Sequence, residues 1–303
     1  MPPVPYQGRI IAHTPHAITA LDFSPDSCRL LGKDRQEALW WWDVDGAVPL
    51  KILLPEKPVT AACLLDARTA AIGTREGAIA FWDLEAGTCV RVLPAHPEAS
   101  AIDGMMGGNN RHVSYHDRDN DLSYGSTRND RGGFYGHAGP VTALAGLRQG
   151  RYLASAGLDR TLRLWDRRTG ECRWLFGAAE GGFAVPVRGC WDYRGGLAAW
   201  GKDVTLWRVS GKAVRRWFWD AVSEQPVRRF TLPGAALAFA RNGRIAAAAD
   251  GTAVMVIDPV SLQEMDRWDC DAGRVLALAV SPDSRWLATA HEDCTVRIWP
   301  PTV

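Results

Sequence analysis

The chain repeats itself, and that constrains its fold more than any other feature. Residues 151–166 read RYLASAGLDRTLRLWD and residues 285–300 read RWLATAHEDCTVRIWP. Residues 111–126, RHVSYHDRDNDLSYGS, align with both without gaps. The leading Arg, the aliphatic residue two places on, and Asp159, Asp293 and Asp119 coincide, while Gly125 stands where the other copies have Trp. TAAIGTREGAIAFWD ending at Asp83 and LLGKDRQEALWWWD ending at Asp43 keep the same frame; LAAWGKDVTLWR and IAAAADGTAVMVID keep it more loosely. The anchors are Trp42, Trp82, Gly125, Trp165, Trp207, Ile257 and Trp299, spaced by 40, 43, 40, 42, 50 and 42 residues. A period of about 40–45 residues matches the four-stranded blades of a propeller.

Local chemistry agrees. Runs such as TLRLW and TVRIW alternate with period two and are rich in β-branched residues. SPDS at 24–27 and 281–284 and RNGR near 244 supply tight turns between such runs. No long segment shows a helical period. One all-β domain over 1–303 is therefore expected: a seven-bladed β-propeller of four-stranded blades. The frame puts blade 1 at about 13–54, blade 2 at 55–95, blade 3 at 96–135 and blade 4 at 136–177. Blade 5 follows at about 178–225, blade 6 at 226–270, and blade 7 at 271–303 together with strand 1–12. The last repeat stops just after Trp299, where Pro300 and Pro301 cannot extend a ladder. QGRIIAH (7–13) reads as a strand without a partner. Pairing that run as the outer strand of the last blade would close the ring and protect an exposed edge.

The segment GHAGPVTALAGLRQGRYLASAGLDRTLRLWD (136–166), from Gly-His to Trp-Asp, resembles a unit of the WD-repeat family, as do the SPD turns of the first and last repeats. The resemblance covers the whole chain, strongly in repeats one, two, four and seven. It implies a propeller that serves as a docking surface. It also places His137, Ser155, Asp159 and Trp165 where such blades carry a hydrogen-bonded structural tetrad. The same residue types could be read as a Ser-His-Asp triad. Damaged copies favour the structural reading, since repeat seven keeps Thr289, Asp293 and Trp299 but has Asp271 where the His falls.

Other constellations invite chemistry. HDRDND (116–121) has the alternating acids of a calcium loop but lacks its Gly and terminal Glu, so a turn around Asp119 is expected, with no metal. Trp40, Trp41 and Trp42 are consecutive; packing between blades is expected over a stacking platform for bases. Trp217 and Trp219 share a face of an expected outer strand and could form a partner-binding patch. The turns joining second and third strands should line one face of the disc. Just before their acidic position lie Arg35, Arg75, Arg118 and Lys202, with Leu158 in blade four, where Arg160 follows the Asp. Five cations on one rim would suit an acidic or extended segment of another protein.

Charge is balanced, with 35 Lys+Arg against 34 Asp+Glu, so nucleic acid is a disfavoured partner. The seven cysteines form no C-x-x-C pair, which argues against disulfides and zinc. Cys89 and Cys172, each seven residues after a repeat Trp, read as small buried residues on a strand. MPPVPYQGR has no apolar core of a signal peptide and no stretch is long enough to span a membrane, so a reducing cytoplasm is expected. The expected function is a non-catalytic protein-interaction scaffold or adaptor without cofactors, monomeric within a larger complex. The alternative is an enzyme or small-ligand propeller using the central channel. Near that channel the sequence offers only His16, His96, His137 and His291.

Overall fold

The computed structural model describes residues 8–46, 49–53, 55–95, 115–116, 123–124, 136–147, 150–157, 162–176, 195–200, 203–210, 213–220, 226–233, 236–240, 244–258 and 263–300. They are all-β, with no helix among them. Repeat one gives an antiparallel sheet of β2 (Ile18–Phe23), β3 (Arg29–Asp34), β4 (Leu39–Asp43) and β5 (Pro49–Leu53), in that order. Repeat two gives β6 (Val59–Leu64), β7 (Thr69–Thr74), β8 (Ile79–Asp83) and β9 (Thr88–Leu93). Repeat four gives β12 (Val141–Leu147), β13 (Tyr152–Gly157), β14 (Leu162–Asp166) and β15 (Cys172–Phe176). Repeat six gives β20 (Ala236–Phe239), β21 (Ala246–Asp250), β22 (Ala253–Ile257) and β23 (Glu264–Asp269).

The sheet of repeat seven consists of β24 (Val275–Val280), β25 (Leu287–His291), β26 (Thr295–Trp299) and, outermost, β1 (Arg9–His13). The register runs Arg9↔Ile298, Ile10↔Arg297, Ala12↔Val296 and His13↔Thr295. The run expected to supply the missing outer strand does so. Its buried Ile11 and Ala12 explain why this strand, rather than another, takes the position.

Repeat five departs from expectation, and repeat three falls mostly outside the described residues. Within 96–135, expected as blade 3, the described residues form a two-stranded ladder, β10 (Tyr115–His116) with β11 (Ser123–Tyr124). This stretch has no Trp, and its only Ile, Val or Leu residues are Ile102, Val113 and Leu122. A blade buries both faces against neighbours, and this composition offers little to bury. In repeat five the sheet is β16 (Gly195–Trp200), β17 (Asp203–Ser210), β18 (Ala213–Asp220) and β19 (Pro226–Pro233). It ends at Pro233 rather than 225. The 50-residue spacing thus contains an additional strand, and Trp207 sits on the second strand of its sheet. The anchors of the other four-stranded sheets all sit on the third.

The sheets pack face to face. Trp40 and Trp42 join Ile11, Val296 and Ile298 in one core, between the sheets of repeats seven and one. Trp41 points the other way, to Leu64, Ala70 and Ile72 of repeat two. Successive side chains of β4 thus serve opposite neighbours, the period-two geometry of a strand buried on both faces. Phe81 and Leu93 of repeat two share a core with Val141 and Trp165 of repeat four. Val254 and Trp268 share one with Leu278 and Trp299. The inner strands β16 and β20 also contact each other, and β12 contacts β16.

Candidate functional site

Two repeat Trp residues sit over buried polar clusters. In repeat four the Trp165 indole Nε1–H donates to Ser155 Oγ at 2.8 Å, and that hydroxyl lies 2.7 Å from His137 Nε2. Ser155 and His137 have no exposed surface. A nucleophilic Ser must meet its substrate; this one is enclosed by the side chains it joins. The pairing satisfies three groups that would be costly to bury alone. Asp159 lies outside the described residues.

Repeat seven reaches the same end differently. Trp299 Nε1–H donates to Thr289 Oγ1 at 2.7 Å, which lies 2.6 Å from His291 Nε2. The imidazole comes from two positions along the same strand, which places it on the same face as Thr289. Asp271, aligned with the His of repeat four, is exposed and not part of the cluster. Burial lowers the pKa of His291 below its ordinary value, favouring the neutral ring. The position of His291 is Gly157 in repeat four, where the ring enters from the preceding loop instead. The Thr-Ala-His spacing on a predicted strand was the signal available in the sequence.

Repeats one and two lack the hydroxyl. Ten residues before their Trp stand Gly32 and Ile72, against Ser155 and Thr289. A Cβ at Gly32 would lie 2.7 Å from the Trp42 ring, so the indole occupies the space a Ser would need. Trp42 stacks on Trp40, with centroids 6.1 Å apart and planes 13° apart. Its Nε1 has no hydrogen-bond partner among the described residues. Trp40 instead donates to Asp34 Oδ2 at 2.9 Å, and Asp34 Oδ1 accepts from the backbone N–H of Gln36 (2.8 Å) and Ala38 (2.9 Å). Consecutive Trp residues are therefore packing and turn-fixing groups.

That Asp34 network fixes the turn carrying Arg35. Thr74 plays the same part for the turn of Arg75, accepting from Ala78 N–H at 3.2 Å. Asp293 Oδ1 does so in repeat seven, accepting from Thr295 N–H at 2.9 Å. The turns of repeats two, seven and six reach the start of a neighbouring sheet: Gly77 C=O accepts from His137 N–H, Cys294 C=O from Thr14 N–H, and Gly251 C=O from Val275 N–H; in repeat one Arg35 N–H donates to Ala17 C=O at the start of its own sheet. All these turns therefore lie at the same end of the sheets. Arg35 and Arg75 are both exposed there, beside Glu37 and Glu76. Exposed Asp250, Asp269, Asp271, Glu292 and Asp293 occupy the corresponding end of repeats six and seven, with Arg274 among them. The face thus has a mixed-charge part and an acidic part, a difference the alignment of single turn positions did not reveal. Arg118, Leu158, Arg160 and Lys202 lie outside the described residues.

Trp217 and Trp219 lie on β18, which is flanked by β17 and β19. The expectation of an outer strand is corrected: Pro226–Pro233 covers that edge. Of the two thiols expected to be buried, Cys172 is and Cys89 is not. Both pair with their repeat Trp, but β9 is exposed along nearly its whole length. The buried Cys270 thiol is pushed up to about 12, chiefly by burial, and is kept in the unreactive protonated form.

Residues 129–166 and 264–300 match the family model described as WD domain, G-beta repeat. These two stretches are WD repeats, and the chain is similar to proteins of the WD-repeat family. The chain is 23% identical over 279 residues to "Cell division cycle 20.6, cofactor of APC complex" of Arabidopsis thaliana, covering 87% of this chain and 63% of that protein. A 40-residue stretch is 48% identical to human "F-box-like/WD repeat-containing protein TBL1X", covering 13% of this chain and 7% of the relative. Among solved structures, a chain of "Crystal Structure of Mitotic Checkpoint Complex" superposes with a TM-score of 0.55 at 19% identity, over 96% of this chain and 79% of that one. This last likeness concerns the fold.

Proposed function

We propose that the chain is a closed propeller working as a non-catalytic scaffold, and that it docks another protein on the face holding Arg35 and Arg75. The observation that carries this reading is the set of equivalent turns. The turns of Arg35 and Arg75 are fixed internally, that of Arg75 is tied to a neighbouring sheet through Gly77, and both hold side chains out to solvent. Rigid scaffolds presenting exposed turns are where binding residues concentrate. The partner segment is extended and acidic where it meets Arg35 and Arg75. The acidic end formed by repeats six and seven would orient it by repelling that same segment. Two relatives carry names of complexes, a cofactor of the APC complex and the Mitotic Checkpoint Complex. They support a role as a subunit, the propeller itself being monomeric within a larger complex. The reading places it in the cytoplasm, with proteins rather than nucleic acid or membrane as partners.

The test is quantitative capture of partners from the native source by the intact chain and by Arg35→Glu/Arg75→Glu, at two salt concentrations. Wild-type capture should weaken with salt, and the variant should lose most of it while melting at the same temperature. Equal recovery of the same protein by both would sink this site.

A further inference from the structure

We infer that the sheets of repeats two and four are consecutive blades, and that the chain leaves the propeller at Pro94 and rejoins it at Gly136 through a closed neck. Two joints in the molecule can be compared. At the first, the last repeat meets the first repeat. At the second, repeat two meets repeat four.

The two joints share their contacts position by position. Thr14 N–H donates to Cys294 C=O (2.9 Å) at one, His137 N–H to Gly77 C=O (3.1 Å) at the other. Both carbonyls lie five residues before a repeat Trp, Trp299 and Trp82; both N–H groups lie 28 before the next, Trp42 and Trp165. An Arg on the outer strand then reaches across. Arg9, opposite Ile298, donates to Val44 C=O (2.5 Å) and Asp45 C=O (3.2 Å). Arg91, opposite Phe81, donates to Arg167 C=O (3.0 Å) and Arg168 C=O (3.2 Å). Ile298 and Phe81 each precede the repeat Trp, and the acceptors stand two and three residues after the next one. Arg167 answers with an ion pair to Asp66 at 2.7 Å and a bond to Thr69 Oγ1 at 2.9 Å. A sheet inserted between repeats two and four would break every one of these contacts.

The neck is equally specific. Gly136 N–H donates to Pro94 C=O at 2.8 Å, so the chain returns beside the residue where it left. A Cβ at Gly136 would fall 2.3 Å from Pro94 O and 2.9 Å from Gly77 O, so no other residue fits without displacement. The inference stands apart from the docking reading, because its tests measure adjacency and folding, not binding.

The decisive test is a cross-link in the full chain. A Cβ built at Gly73 lies 2.6 Å from Val141 Cβ, and a disulfide needs about 3.5–4.5 Å, a small opening. One interposed sheet would instead add about 10 Å. Gly73→Cys/Val141→Cys should oxidise to a disulfide seen by intact mass after alkylation, with each single variant as control. Two alkylatable thiols more than in the unsubstituted chain, in a cooperatively folded double variant, would overturn the inference. A second variant removes 96–135 and joins Ala95 to Gly136. It should unfold cooperatively within about 5 °C of the full chain; a product without a cooperative transition would overturn the inference as well.

Discussion

Trp42 and Trp299 hold the same position in their repeats, and both are essentially inaccessible to solvent, at 0% and 1% exposure. Their surroundings are opposites. Trp299 gives its N–H to a hydroxyl backed by His291, whereas Trp42 covers Gly32, stacks on Trp40 and leaves its N–H without a partner among the described residues. The first site is held by directed bonds and the second by apolar packing, much of it from Ile11 and Ala12 of β1. The comparison shows that the buried hydroxyl beneath Trp165 and Trp299 is one of two ways in which this chain seats the same indole. The alternative requires a neighbouring strand that fills the space.

If that is so, the largest effect comes from removing the strand. Deleting residues 1–12 takes away β1, the Arg9 bonds to Val44 and Asp45, and Ile11, whose burial alone is worth about 2–5 kcal/mol. Scanning calorimetry should show the melting temperature falling by roughly 10 °C or more. A shift of only about one or two degrees would show that Trp42 does not depend on β1.

Point changes should then separate the two seats. Ser155→Ala and Thr289→Ala should each cost about 1–3 kcal/mol, because the indole and imidazole lose their shared partner. Supplying the missing hydroxyl to repeat one should not help. Gly32→Ser places a Cβ into the Trp42 ring and should destabilise by about 1–3 kcal/mol through overpacking. Urea titration measures all three. A stabilising Gly32→Ser would mean that the unpaired N–H outweighs the packing.

The smallest effect is in pH. The folded pKa of His291 lies below the ordinary value of 6.5, chiefly through burial. The unfolded chain therefore takes up the proton first as pH falls. Stability contributed by the neutral ring is complete above about pH 6.5. It is lost as pH drops from there through the lower folded value. His291→Asn should flatten that part of the stability profile between pH 7 and 5. Unchanged slopes in wild type and variant would remove His291 from the account. Trp42, with no titrating partner, contributes no such slope.

Much of the local structure was legible. The period of about 40–45 residues, the alternating runs and the SPDS turns located most strands, and Ser155, His137 and Trp165 were identified as a buried cluster. The positive-φ Ser27, Gly150 and Ser284, each fifteen residues before a repeat Trp, show how closely the turns follow the repeat frame. Repeat five was misread because its additional strand, Pro226–Pro233, looks in sequence like the start of the next blade. Repeat three keeps the Arg, aliphatic and Asp positions of the frame, but only Tyr115–His116 and Ser123–Tyr124 lie within the described residues. The role of His291 is not visible in the repeat frame, because its ring comes from the strand position of Gly157 and not from the loop position of His137.

The sequence by itself determined what is set by neighbours along the chain: where strands alternate, where turns fall, and which repeats carry a hydroxyl under their Trp. These depend on backbone propensity and side-chain period, which act over a few residues. Only the tertiary structure decided which sheets touch. Repeat two lies against repeat four because Arg91, Arg167 and Gly77 meet partners more than fifty residues away. Such contacts depend on the fit of two finished surfaces, and no period in the sequence encodes which pair of surfaces will meet.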